Sequence, residues 1–209
     1  YHTKYAPIDF SKEAVLPYKI FNQNNGRYFA FSENDIAGVK KALEHISSYA
    51  NVRFEEKPSA NYWDVAIGFY MTNVKGGTNA HAYYGGSVYM GKHLTENGKS
   101  LLDDNPHKIL LHEILHSLGL QHPESGLLKM PKEEDTALNS LIAYKDTPTA
   151  ETQLGIFDVA FLHYRFGVNP NVRTGNDVYR FRPANRHSVE RDVYICLLYT
   201  SDAADERSS

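Results

Sequence analysis

One short stretch of the sequence places three histidines, a glutamate and a glycine at regular intervals. Residues 112–122 fit the pattern H-E-x-x-H-x-x-G-x-x-H. His112 and His116 are four residues apart, so on an α-helix they project from the same face and can bind one metal ion. Glu113 lies beside them, where its carboxylate can take a proton from a metal-bound water molecule. The stretch therefore predicts a metal-dependent hydrolytic site.

The rest of the pattern predicts a third ligand. Gly119 can adopt the positive φ that ends a helix in a tight turn, a conformation that most residues resist. That turn would bring His122 back beside the first two histidines. Three imidazoles leave one coordination position open, which is the arrangement of a catalytic zinc site. We therefore predict that His112, His116 and His122 bind Zn²⁺ and that Glu113 is the catalytic base.

An alternative interpretation is a helix that carries surface histidines by chance. Five fixed positions make a random match a rare event, on the order of one in ten million per starting residue. The helix also has other residues, such as Leu115 and Leu118, to face a core, so it has no structural need for histidines. The remaining histidines stand alone, and we expect none of them to bind the metal: His2, His45, His81, His93, His107, His163 and His187.

Composition limits the classes of function. The chain has 209 residues and 42% hydrophobic residues, which suits one globular domain or a domain with a fragment of another. Its net charge of −3 gives no sign of the basic stripe of a nucleic-acid-binding protein, and its apolar runs are too short to cross a bilayer. The single cysteine, Cys196, excludes an internal disulfide. We expect no nucleic-acid or membrane partner, and a monomer.

The order of the predicted elements indicates an α+β fold, with the sheet early in the chain and helices late. Ser32 followed by Asp35 forms a capping-box signal for the first helix. Asp104 or Asn105 would cap the second helix, with Pro106 in its first turn. The predicted strands are a strand or hairpin over 18–31, strands over 51–56 and 65–70, and two short strands within 79–90. The predicted helices span 33–50, from 104 or 105 to 118, and roughly 154–166.

Several segments outside the zinc pattern resemble the serralysin-type peptidases of the metzincin clan. The pattern is followed by Pro123, as in that family. Residues 31–54 resemble its first long helix and the strand after it, residues 154–167 its closing helix, and residues 171–181 the entry to its calcium-binding β-roll. The similarity covers about residues 18–182. It implies a metzincin zinc-protease domain with a twisted mixed sheet, two long helices and an active-site cleft between an upper and a lower subdomain.

The sequence departs from the family at one apolar position. Serralysins carry a methionine turn after the zinc pattern, with a tyrosine two residues past the methionine. Ile142 stands where that methionine is expected. A competing alignment uses Met130, but the first alignment also places Tyr144 at the tyrosine position. By resemblance, Tyr144 would be a weak zinc ligand that swings to hydrogen-bond the oxyanion; the alternative is a simple buried tyrosine.

The resemblance also implies how a substrate binds. Metzincins hold an extended substrate as an additional strand against the edge of the sheet. Our candidates for that edge precede a pair of glycines at 85 and 86, and they are Asn79, Ala80, His81, Ala82 and Tyr83. The alternative is an ordinary strand with no contact to substrate.

We expect three parts in the chain. Residues 1–168 form the catalytic domain, residues 169–195 begin a truncated β-roll, and residues 196–209 resemble a translated sequencing adapter. The family resemblance implies a secreted, extracellular endopeptidase with protein or peptide substrates. The alternative is a zinc-binding fragment with little or no catalytic activity.

The resemblance adds calcium as a second metal in the full-length protein. Arg173, Gly175 and Asp177 occupy positions similar to those that supply calcium ligands at the start of the β-roll. Calcium takes about six to eight oxygen ligands. Three positions at the end of one strand do not supply that number, so we expect this chain to bind calcium weakly or not at all.

Overall fold

The computed structural model describes residues 12–74, 78–125, 129–143 and 153–171. In this part of the chain the helices are α1 (Glu33–Tyr49), α2 (Asp104–Leu118) and α3 (Ile156–Phe166), with 3-10 turns at Tyr62–Asp64 and Lys92–Thr95. The strands are β1 (Ala14–Ile20), β2 (Tyr28–Phe29), β3 (Val52–Glu56), β4 (Ile67–Thr72), β5 (Ala80–Ala82) and β6 (Val88–Gly91). Within these ranges no helix has the length and apolar character needed to cross a bilayer.

The described strands form one mixed sheet of six strands in the order β3-β1-β4-β6-β5, with β2 paired to β4 off this path. Strand β1 runs parallel to β3 and β4, and β4 runs parallel to β6. Strand β5 is antiparallel to β6 and lies at one edge. The predicted α+β fold is therefore confirmed. The predictions for Tyr144, for Arg173, Gly175 and Asp177, and for residues 196–209 lie outside the described residues.

The first two strands do not form the hairpin that was one alternative for residues 18–31. Strand β1 has β3 on one side and β4 on the other, so it offers no free edge to β2. Strand β2 pairs with Met71 and Thr72, at the end of β4 that extends past β1. The hairpin alternative was wrong because the local pattern does not show which distant strands occupy the edges of β1. The strand alternative holds, and β1 begins at Ala14.

Helix α1 begins where the sequence predicts it. The Ser32 hydroxyl accepts a hydrogen bond from the Asp35 N–H at 3.1 Å, and the Asp35 carboxylate accepts one from the Ser32 N–H at 3.0 Å. This reciprocal capping satisfies N–H groups that the first helical turn leaves without a partner. Val39, Leu43 and Ile46 recur at helical spacing and are buried in the core that the helix shares with the sheet.

Helix α2 begins one residue earlier than predicted. Its N-cap residue is Asp103 and not Asp104 or Asn105. A turn closed by the Asp103 N–H and the Ser100 carbonyl at 3.1 Å already reverses the chain, so the helix starts directly after it. Pro106 lies in the first turn as predicted, where its missing N–H costs no helical hydrogen bond.

The two faces of the sheet are covered differently. Phe69 and Met71 of β4 belong to the main core, which also contains residues of all three helices. The intervening residue, Tyr70, points to the opposite face because side chains alternate along a strand. There it stacks between Phe21 and Tyr89. The helices therefore lie on one face of the sheet, and an aromatic cluster lies on the other.

Candidate metal centre

Helix α2 carries two of the predicted ligands one turn apart. His112 and His116 are half-buried, and their Nε2 atoms lie 3.1 Å apart. Ile114 and Leu115 are fully buried in the core. Burial of these apolar residues fixes the rotation of the helix about its axis, so the two histidines face the same side of it.

The turn after α2 brings the third histidine back to the first two. Gly119 has a φ of 116°, in the left-handed region, and its N–H donates to the carbonyls of Leu115 and His116. A Cβ on Gly119 would meet only a ring atom of Phe161 at 3.8 Å, so backbone conformation and not crowding favours glycine here. The Nε2 of His122 consequently lies 3.0 Å from the Nε2 of His116.

Backbone carbonyls fix the orientation of all three rings. Each Nδ1 donates a hydrogen bond to one carbonyl oxygen. The pairs are His112 with Leu141 at 2.9 Å, His116 with Leu120 at 2.7 Å, and His122 with Ile142 at 2.7 Å. Because a carbonyl oxygen can only accept, each Nδ1 carries a proton, and in the neutral ring the lone pair is then on Nε2. Such partners on the second ring nitrogen are typical of metal-binding histidines.

The three Nε2 lone pairs meet at one point, which suits a zinc ion. The ligand atoms all lie within 4.8 Å of one another, and no other such group occurs in the part of the chain that the structure describes. Tetrahedral zinc with Zn–N distances of about 2.05 Å places its ligand nitrogens about 3.3 Å apart. The observed separations of 3.0 and 3.1 Å are close to that value. Without a cation, lone pairs this close would repel one another.

Burial keeps His112 and His116 in the form that binds metal. It lowers the pKa of His112 to about 4, against the opposing effect of the Leu141 carbonyl, which stabilises the charged ring. Burial also lowers the pKa of His116. Both rings are therefore neutral near pH 7, and neither has to lose a proton before binding zinc.

Glu113 lies in the same cleft as the three histidines. Its side chain is buried, and its Oε2 atom has no hydrogen-bonding partner among the described residues. Burial raises the pKa of Glu113 to about 7, while a cation nearby would favour the charged form. A buried carboxylate oxygen without a partner needs an explanation, and a water molecule in the cleft is one.

A cleft of about 650 Å³ opens in front of the histidines. Helix α2 forms one wall, Leu141 and Ala143 contribute to a second, and the edge strand β5 forms a third. The five candidates for the substrate edge lie on this third wall or beside it. Four of them, Asn79, Ala80, His81 and Ala82, line the cleft, and Tyr83 follows directly. Their contact with substrate stays a prediction.

The sequence matches the profile of the matrixin family, peptidase M10, over residues 9–132, which is more than half of the chain and includes the zinc pattern. The chain belongs to the matrixin family of peptidases. Serralysin G of Dickeya chrysanthemi is 26% identical over an alignment of 204 positions, which covers 82% of this chain and 43% of the relative. Serralysin of Proteus mirabilis is 26% identical over an alignment of 197 positions, which covers 77% of this chain and 40% of the relative.

A third relative, serralysin of Photorhabdus luminescens, is 24% identical over an alignment of 233 positions, which covers 96% of this matrixin and 46% of the relative. These similarities confirm the resemblance to serralysin-type metzincins. The matrixin chain spans less than half the length of these three relatives. Matrixins and serralysins use zinc, and serralysins also use calcium.

In this matrixin, a buried aspartate of α3 holds the loop behind the histidines. The Asp158 carboxylate accepts hydrogen bonds from the Ser140 hydroxyl at 2.6 Å, the Leu141 N–H at 2.8 Å and the Gly155 N–H at 2.7 Å. A Cβ on Gly155 would collide with the backbone of Asn139, so glycine lets α3 approach this loop. Asp158 was not among the predicted site residues. An acidic residue in the first turn of a helix is a signal for capping, but it does not reveal a partner loop.

Ile142 lies in the loop that Asp158 holds. It is buried in the main core, and its carbonyl is the one that orients His122. Met130, the alternative methionine position, is half-buried, and its N–H donates to the Pro123 carbonyl. The geometry therefore favours the alignment that places Ile142 in the methionine turn. Tyr144 follows two residues later, outside the described residues, so its role stays a prediction.

Other histidines of the matrixin chain have structural surroundings. The Nδ1 of His107 pairs with the Leu101 carbonyl at 2.8 Å, and the Nε2 of His163 pairs with the Tyr49 carbonyl at 3.1 Å. Both are buried and link a helix to a neighbouring segment. His2 and His187 lie outside the described residues.

Proposed function

We propose that this chain is the catalytic part of a secreted zinc endopeptidase that hydrolyses peptide bonds in extended protein substrates. The observation that carries the proposal is the meeting of three Nε2 lone pairs beside the buried carboxylate of Glu113, in a cleft bordered by a strand edge. Membership of a peptidase family and similarity to serralysins support the same activity.

Glu113 moves the proton in the proposed reaction. His112, His116 and His122 would hold a zinc ion, which would supply a Lewis acid to polarise the scissile carbonyl and to lower the pKa of a water molecule. The Glu113 carboxylate takes a proton from the water as it attacks the carbonyl carbon, and then returns that proton to the leaving amine. By resemblance to serralysins, Tyr144 hydrogen-bonds the developing oxyanion.

Strand β5 has no neighbour on its outer side among the described strands, and this edge is the proposed place for the substrate. The Asn79 carbonyl and the Tyr83 N–H form hydrogen bonds of 2.9 and 3.0 Å to the β6 side. Bonding direction alternates along an antiparallel strand, so the N–H and C=O groups of Ala80 and Ala82 point away from β6. An extended substrate can pair with these groups, whereas a helical one would keep its own backbone groups occupied.

Secretion and calcium binding enter the proposal through the serralysin relatives. Serralysins are extracellular proteases that use calcium as well as zinc. Arg173, Gly175 and Asp177 remain the candidates for calcium in the full-length protein, and they lie outside the described residues. We also propose that the protein acts as a monomer, because the metal, the base and the edge strand all come from one chain.

Metal analysis and proteolysis on the same sample test the proposal. We expect one zinc ion per chain and cleavage of casein that a chelator abolishes and added zinc restores. The Glu113→Gln variant is the matched control, because it keeps the shape and the three ligands but removes the base. One zinc per chain without cleavage of any protein or peptide would support the alternative, a zinc-binding protein with little or no catalytic activity. Absence of zinc binding would contradict the metal site itself.

A further inference from the structure

Four rings form a row across the face of the sheet that is opposite the helices. Phe21 follows β1, and the other three rings belong to Tyr70 of β4, Tyr89 of β6 and His81 of β5. Neighbouring ring centroids lie 4.4, 4.9 and 4.8 Å apart, and the ring planes are within 8°, 12° and 9° of parallel. The rings therefore stack face to face from one strand to the next. We call these four residues the ring row.

The ring row ends at the edge of the sheet. One face of the His81 imidazole stacks on Tyr89, and no described strand lies beyond β5. Since the row runs from strand to strand, the second face of His81 is turned toward the free edge. His81 is exposed, and Tyr83, which is 60% exposed, contacts it edge to face at 5.6 Å between centroids. The row thus ends in an open corner lined by two aromatic side chains.

A substrate added to β5 would place one side chain in this corner. In an antiparallel addition, Ala80 and Ala82 make the hydrogen bonds, so the substrate residue opposite His81 occupies a non-hydrogen-bonded pair. Cα atoms in such pairs are about 4.5 Å apart, which brings their side chains closest together. That substrate side chain shares the outer face with His81, while the residues on either side of it point toward the cleft.

We propose that His81 selects an aromatic side chain at the substrate position opposite it, with Tyr83 as the second contact. The inference rests on the proposed function, because it requires an extended substrate on β5. A planar ring continues the stacking of the ring row, which an aliphatic side chain of similar size does not. The additional free energy of contact between two aromatic rings corresponds to an increase of about two- to tenfold in affinity or kcat/KM.

Peptides that differ at one residue test this selection. A parent peptide that the zinc-loaded protein cleaves at one bond is made with Phe or with Leu at each position around that bond. We expect a Phe-to-Leu ratio of kcat/KM of about two to ten at the position opposite His81. His81→Thr, which suits a strand, should bring that ratio to about one. His81→Phe should keep or increase it.

Binding provides a readout that does not depend on turnover. The Glu113→Gln variant holds zinc without cleaving, so the affinities of the Phe and Leu peptides can be compared directly. We expect the same ratio as in the kinetics, and its loss when His81→Thr is added. Tyr164→Leu is the control, because Tyr164 is an exposed ring that is 83% accessible and belongs to α3, which is not part of the ring row. It should change neither ratio.

The outcomes separate this inference from the proposed function. Cleavage without an aromatic preference at any position would overturn the inference and leave the proposed function intact. The same holds if the preference survives unchanged in His81→Thr. If that variant does not fold, as judged by its zinc content, His81→Leu replaces it with the same expectation. Zinc-loaded protein that neither binds nor cleaves any peptide would overturn the proposed function, and this inference with it.

Discussion

The two walls of the metal centre are built in different ways. On one wall, the regular helix α2 carries His112, Glu113 and His116, and a spacing of four residues brings the two histidines together. On the other wall, His122 follows the turn at Gly119, and its ring is held by a loop that α3 holds in turn. We call these the helix wall and the loop wall. The helix wall is local in sequence, whereas the loop wall joins three separate segments.

The two walls are held in position by different interactions. The helix wall is fixed by its own backbone hydrogen bonds and by buried residues such as Ile114 and Leu115. The loop wall depends on the contacts that join its segments, above all the three hydrogen bonds to the Asp158 carboxylate. We therefore expect substitutions far from the metal to reach it through the loop wall and not through the helix wall.

Removal of the loop-wall ligand should have the largest effect. We expect His122→Ala to lose zinc on dialysis and to lose activity with it, because two histidines do not hold a three-ligand site. Zinc content and casein cleavage measure both. His45→Ala, a half-buried histidine of α1, is the control and should keep both. Unchanged zinc content in His122→Ala would mean that the loop wall does not supply a ligand.

A change on the helix wall should remove chemistry and leave the metal. Glu113→Gln should lower kcat by about a hundredfold or more, which is the usual contribution of a catalytic base. Its zinc content should remain one per chain, since the three ligands are intact. Equal activity in this variant would remove Glu113 from the mechanism. The contrast with His122→Ala then shows whether the walls differ in role as well as in construction.

Replacement of Asp158, which holds the loop wall in place, should have an intermediate effect on zinc affinity. Asp158→Ala removes the acceptor for Ser140, Leu141 and Gly155, so the carbonyls behind the histidines lose their fixed position. We expect zinc affinity to fall by about tenfold or more, as for other residues that orient metal ligands. The free energy of unfolding should also fall, by roughly 1–3 kcal/mol, because buried N–H groups lose their partner. Competition with a zinc chelator and chemical denaturation measure the two effects.

Asp35 at the start of α1 provides a matched control for Asp158. It is also buried at the third position of its helix, and it also accepts three hydrogen bonds, from the N–H and hydroxyl of Ser32 and from the Leu101 N–H. These contacts hold the scaffold and not the loop wall. Asp35→Ala should therefore lower stability to a similar extent, about 1–3 kcal/mol, with zinc affinity unchanged. Equal loss of zinc affinity in both variants would contradict a specific link between α3 and the metal.

The smallest effect is expected from a side chain of the loop wall. Ile142→Met restores the residue of the serralysin turn in a buried position of similar volume. We expect activity within a few-fold of the wild type and a stability change below about 1.5 kcal/mol. The carbonyl that orients His122 is present in either variant. A large gain in zinc affinity would indicate that the packing of Ile142 strains the loop wall.

The helix wall and the loop wall also differ in how much of each could be predicted from the sequence. The helix wall was predicted residue by residue, because helical periodicity determines which side chains share a face. Gly119 and His122 were also predicted, since the turn needs a positive φ close to the helix. The roles of the Leu141 and Ile142 carbonyls were not predicted, because every residue type has a backbone carbonyl and the sequence therefore does not show which one is the acceptor.

Non-local pairing limits prediction elsewhere in the molecule. The capping box of Ser32 and Asp35 can be recognised within four residues of sequence. Asp158 caps a helix that follows Gly155, and glycine has no side chain that would indicate a cap. The partner loop lies 17 and 18 residues away in sequence. The pairing of β2 with β4 was missed for the same reason, since a strand pattern identifies a strand but not its neighbour.

Two consecutive peptide carbonyls, those of Leu141 and Ile142, hold the rings of two of the three clustered histidines. Every amino acid carries such a carbonyl, so no missense mutation at either position can delete the acceptor. Mutations can only redirect the path of the chain that presents it. In a saturation mutagenesis screen, many apolar replacements at 141 and 142 should therefore preserve function. Replacements of Asp158 and Gly155 should impair it, because these two residues determine the path of the chain.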